Sequence, residues 1–121
     1  MKFINKIVII MMLTFTQFAY AFDMKDIIAY PVPFNPQQKT LTIGYKAGSS
    51  LSLSGYKVKA TIYDINGDLV LEKSRSQGPL IWNGRNSSGR FVKPGLYILK
   101  VEVEDDNGDY GKKIIRILVD Y

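Results

Sequence analysis

Cysteine and histidine are both absent from this sequence. Without cysteine no disulfide can staple the fold, so a hydrophobic core must hold it. The usual zinc sites, built on thiolate and imidazole, are excluded, as are a cysteine nucleophile and a histidine general base. A lipid-modified bacterial anchor, which needs a cysteine, is excluded as well. No apolar run reaches the roughly 20 residues that a membrane-spanning helix requires. Positive charge is in excess, at net +5, but it is scattered. Only Lys112 and Lys113 stand together late in the chain, so the clustered basic stripe of a nucleic-acid binder is missing.

What is present is ordinary globular composition, with 46% hydrophobic and 22% charged residues in a chain of 121. That length suits one domain. Lys2 and Lys6 precede the apolar run Ile7–Leu13, and Ala19-Tyr20-Ala21 supplies the small residues of a cleavage site. Residues 1–21 are therefore expected to be a secretory signal peptide, removed to leave Phe22–Tyr121 with no stable membrane span. Losing Lys2 and Lys6 takes the basic count from 16 to 14 against 11 acidic residues, and the net charge from +5 to +3.

Period-two alternation dominates the remainder. Short strands are expected at Ile27–Tyr30, Leu41–Tyr45, Val58–Ile62, Leu69–Lys73, Pro79–Trp82, Leu96–Glu104 and Tyr110–Val119. Tyr97, Leu99, Val101 and Val103 would share one buried face. Ala47–Gly55 reads as a loop in which Leu51 and Leu53 can tuck inward. Asn66-Gly67 and Asn107-Gly108 mark hairpin turns whose residues tolerate positive φ, and Asn86-Ser87-Ser88-Gly89 is turn chemistry. About seven strands at this spacing predict an all-β, antiparallel sandwich, a single domain over 22–121. The final strand is apolar enough to be central. If it is an edge, it can extend a partner's sheet, with Lys112, Lys113 and Arg116 guarding against uncontrolled pairing.

Four segments stand in a fixed order: Tyr30-Pro31-Val32-Pro33-Phe34-Asn35-Pro36, Ile62-Tyr63-Asp64-Ile65-Asn66-Gly67, Trp82-Asn83-Gly84 with Ser88-Gly89, and Pro94-Gly95-Leu96-Tyr97. This order resembles the immunoglobulin-like domain named after the flagellar hook-capping protein FlgD. It is also similar to the C-terminal sorting domains of type IX secretion cargo. The resemblance covers Tyr30 to about Val119 and implies a β-sandwich without chemistry of its own. On the residues themselves, Phe34 and Trp82 are expected to anchor the core. Gly84, Gly89 and Gly95 would supply special backbone angles, and Tyr97 would pack on Trp82 or bond backbone near a turn.

Oxygen-bearing residues alternate at Asp64, Asn66 and Asp68 and again at Asp105, Asn107 and Asp109. Alternate oxygens in a tight loop can ligate Ca²⁺, but Asx residues beside glycine are also what a hairpin turn needs. The second reading is the one adopted, with no metal and no cofactor. Glu102 and Glu104 read as the solvent face of a strand rather than a hydrolytic pair. Tyr56, Tyr63 and Tyr110 are the candidates for an interaction surface. The functional expectation is an exported, non-enzymatic structural or protein-interaction module of the bacterial periplasm, cell surface or medium. Its partner would be another extracytoplasmic protein or a surface assembly. A carbohydrate- or calcium-binding module is the alternative.

Overall fold

A computed structural model describes residues 24–47, 56–76 and 78–121. The expected signal peptide and the inward tuck of Leu51 and Leu53 lie outside the described residues. A 3-10 turn, Met24–Asp26, leads into seven strands: β1 (Ile27–Tyr30), β2 (Leu41–Tyr45), β3 (Lys57–Tyr63), β4 (Leu69–Arg75), β5 (Leu80–Trp82), β6 (Gly95–Glu104) and β7 (Tyr110–Val119). They form two antiparallel sheets, ordered β1-β2-β5 and β4-β3-β6-β7. The all-β sandwich expected from the alternation is the architecture observed.

The alternation explains the layers. Val58, Ala60 and Ile62 of β3 and Tyr97, Leu99, Val101 and Val103 of β6 are all buried, facing Ile27, Leu41, Ile43, Leu80 and Trp82 of the other sheet. The intervening residues alternate onto the outer face, as a period of two requires, and of those in β3 and β6 only Thr61 is buried, at 3% exposure. The two outer faces differ in kind. β1, β2 and β5 contain no charged residue; Tyr30, Thr42 and Ile81 are in register across the three strands, and Tyr30 and Ile81 are exposed. The outer face of the larger sheet carries charge, including Lys57, Lys59, Glu72, Lys100, Glu102 and Lys112.

Three loops share one design. Asp64–Asp68, Asn86–Arg90 and Asp105–Asp109 are each closed by a backbone bond from residue 1 N–H to residue 5 C=O, at 2.9, 2.8 and 3.0 Å. In each, glycine at position 4 donates to the carbonyl of position 1. The side-chain oxygen of position 1 accepts from the N–H groups of positions 3 and 5. Only the glycine has positive φ: 86° at Gly67, 81° at Gly89 and 85° at Gly108. The two-residue turn with both centres at positive φ, expected at Asn66-Gly67, is thus replaced by a longer loop. A type I turn runs into a left-handed glycine, the usual three-residue hairpin solution.

β7 lies at an edge and is not central. Within its sheet it pairs with β6 alone; beyond that a single bridge to Phe34 meets its last residues, and Ile114 and Leu118 are 54% and 43% exposed.

Candidate interaction surfaces

The four sequence segments converge at one end of the sandwich. Phe34 is 0% and Trp82 1% exposed. Their rings lie 5.5 Å apart and tilted, and Tyr97 meets Trp82 edge-on at 6.2 Å. Such offset and edge contacts suit the ring quadrupoles. Each polar handle finds a backbone acceptor. Trp82 Nε1 donates to Arg85 C=O at 2.9 Å and the Tyr97 hydroxyl to Lys93 C=O at 2.6 Å. Burial, then the Tyr121 and Asp64 charges, push the Tyr97 phenol above its ordinary value.

Phe34 is pinned from the other side. Its N–H donates to Leu118 C=O at 2.8 Å and its C=O accepts from Asp120 N–H at 3.0 Å, which is a single parallel bridge to β7. Gly84 has φ of 77°, and a side chain there would run into the Pro36 ring. Gly95, at the start of β6, has φ of 150° with open space around it.

Of the three tyrosines nominated for contact, two share a face. The Tyr110 hydroxyl donates to Glu102 Oε2 at 2.8 Å, Lys100 Nζ lies 3.6 Å from Glu102 Oε1, and the same ammonium sits 5.8 Å from the Tyr63 ring centroid. Tyr63, Lys100, Glu102 and Tyr110 thus form one chain across the outer face of the four-stranded sheet. Tyr56 is half-buried and packs against the core. Glu104 is exposed next to Tyr110 in the β6–β7 register. A shallow hollow of about 320 Å³ lies here, with Lys57, Lys59, Ser74, Glu102, Glu104 and Tyr110 around it.

The Tyr110 hydrogen bond holds the Glu102 carboxyl below its usual range. The same bond raises the Tyr110 phenol, and Tyr63 and Glu102 raise Lys100. A carboxylate depressed in the folded state contributes stability that is complete above the unfolded value and is lost as pH falls through the folded one. Tyr110→Phe is therefore expected to move the Glu102 titration upward toward the ordinary carboxylate range, as read by carboxyl NMR shifts against pH. An unmoved titration would show that the hydroxyl is not what holds it.

The first residue of each oxygen triad is engaged in its own turn. Asp64 Oδ1 and Asp105 Oδ1 each already accept two backbone N–H bonds. Among the described residues no group of three or more His, Cys, Asp or Glu is placed to hold a metal ion.

Sequence reasoning missed the groups that cover the two seams between the sheets. Lys113 occupies an inward slot of β7 and donates to Ile27 C=O at 2.6 Å and Lys25 C=O at 3.0 Å. On the opposite seam Lys73 donates to Ile81 C=O at 2.6 Å and Arg75 to Pro79 C=O at 3.2 Å. Inward-pointing cations at strand edges deter unwanted pairing. The signal was there to read: Lys113 interrupts the inward set that continues with Ile115, Ile117 and Val119.

No match was found among curated proteins. Among solved structures, a domain of PorZ from Porphyromonas gingivalis is similar. PorZ is described as an essential bacterial surface component of the type IX secretion system. The match is 26% identical with a TM-score of 0.55, over 82% of this chain and 12% of that one. A domain of the dimeric latent PorU of the same organism shares the fold at 20% identity and a TM-score of 0.57, over 78% of this chain and 9% of that one. This chain thus corresponds to a small fraction of either protein. No helix among the described residues is long and apolar enough to cross a membrane. The profile of the family described as the secretion system C-terminal sorting domain matches residues 29–117. That span takes in every strand except the first residues of β1 and the last of β7, and the chain belongs to this family of secretion sorting domains.

Proposed function

We propose that the chain is an exported, non-catalytic protein-interaction module of the bacterial cell envelope or surface, handled by or attached to a secretion assembly. The observation that carries this reading is the family match over residues 29–117. The geometry supports it. The family-bearing segments are spent on scaffold, in the Phe34–Trp82–Tyr97 cluster and the three Asx loops, and the sheet faces and the β7 edge are left for contact. Residues 1–21 serve in this reading as a cleaved export signal, and the partner is another extracytoplasmic protein.

The test is crosslinking in the native cell, with an affinity tag inserted in the exposed Asn107-Gly108 turn of the full chain. Recovery of a stoichiometric protein partner, with an amino terminus at Phe22, is the expected result. Recovery of the chain alone, together with a melting shift on adding glycans or Ca²⁺, would overturn it, since a ligand that binds the folded state raises its stability by mass action.

A further inference from the structure

The ladder between Phe34 and β7 stops after one bridge. Leu118 and Asp120 use their backbone groups toward Phe34, away from β6. In an antiparallel pair the direction of these groups alternates residue by residue, and the β6–β7 register runs without a break from Tyr110 to Val119. Arg116, Ile114 and Lys112 therefore also point their N–H and C=O groups off the edge. The chain that would cover them is held away. Pro31 and Pro33 fix φ near about −65° on either side of Val32, and Val32 stands exposed in a bend.

Between β1 and this edge lies an open groove of about 510 Å³, with Ile28, Ala29 and Val32 on one side and Ile114 and Ile115 on the other. Lys113 and Arg116 also line it, and no acidic residue does. Lys112 and Arg116 are exposed and have no ion-pair partner among the described residues. Glu102, opposite Lys112 in the ladder, is engaged by Tyr110 and Lys100.

We propose that the Lys112–Arg116 edge of β7 accepts an extended acidic segment of a partner protein as an added strand. Strand addition supplies main-chain hydrogen bonds for affinity and alternate side-chain pockets for specificity. The segment would place apolar residues in the groove and carboxylates opposite Lys112 and Arg116. Those cations are four positions apart on one face, so the motif is acid, three intervening residues, acid. It reads the same in either strand direction.

This inference rests on the interaction-module reading, but its test needs no native partner. The probe is the acetylated, amidated peptide Ser-Glu-Val-Thr-Val-Glu-Ser, titrated into the exported chain while amide hydrogen exchange is followed. The expected result is saturable binding with slowed exchange at Ile114 and Arg116. In Lys112→Glu/Arg116→Glu, whose melting curve should match the parent because both side chains are exposed, affinity should fall about tenfold. The same peptide with Lys in place of Glu should recover binding to that variant. Unchanged exchange at those amides, or equal affinity for the reversed variant, would overturn the proposal. So would protection that appears without peptide and grows with protein concentration, since a second copy would then occupy the edge. A protein partner crosslinked in cells alongside a null peptide result would leave the module reading standing and remove only this edge.

Discussion

Trp82→Ala is expected to lower the unfolding free energy by about 3–5 kcal/mol, the range for truncating a large buried aromatic. A domain of this size has a total stability of about 5–15 kcal/mol, so the variant would keep only a fraction of it. Two losses combine. Removing the indole opens a void between Phe34 and Tyr97, which sit 5.5 and 6.2 Å from it. It also strips Arg85 C=O of its 2.9 Å donor. Trp82→Phe separates the two, since a ring remains and only the N–H is lost. Its cost should be nearer about 1–2 kcal/mol plus a small packing term. Urea unfolding followed by circular dichroism measures both, because the chain has a single tryptophan and its fluorescence disappears with the substitution. An unchanged midpoint for Trp82→Ala would show that this end of the sandwich does not hold the fold.

Gly84→Ala should cost almost as much for a different reason. At φ of 77° an alanine sits in the left-handed region, at about 1–2 kcal/mol. Its Cβ would also overlap the Pro36 ring and approach Phe34 Cε2 at 3.3 Å. Overpacking of that kind adds about 1–3 kcal/mol. The two parts can be told apart with a double-mutant cycle. In a Pro36→Gly background the same substitution should cost only the backbone part. Equal costs in both backgrounds would remove the collision from the explanation and leave φ alone.

Both predictions fall on motif residues, and that is where the sequence was most informative. Trp-Asn-Gly and Pro-Phe-Asn-Pro have unusual side chains or backbone demands, so their neighbourhood is narrow and readable in advance. The alternation of β3 and β6 was equally legible, because a strand with one buried face must repeat every two residues. The Asx loops were readable as turns, though not in their exact form. An Asp or Asn at position 1 with glycine at position 4 serves a longer loop than Asn-Gly alone suggests, with the position 1 side-chain oxygen capping two backbone N–H groups.

The candidate surfaces were less legible. Tyr63 and Tyr110 stand far apart in sequence, and they meet on one face only because β3 and β7 flank β6. Tyr56 carries the same chemistry but packs on the core, since it sits just before β3 begins. Lys113 looked like one of three gatekeepers. Its own slot faces inward, and its ammonium reaches a carbonyl 86 residues away.

Composition and local pattern determined the strands, the turns, the aromatic anchors and the exclusion of cysteine and histidine chemistry, because each of these follows from a residue and its near neighbours. The order of strands within each sheet was decided by the tertiary structure. With it came the choice of β7 as an edge, the cations laid across both seams, and the groove beside Ile114. These depend on which strand lies next to which, and that is settled by the burial of one sheet against the other over long sequence separations.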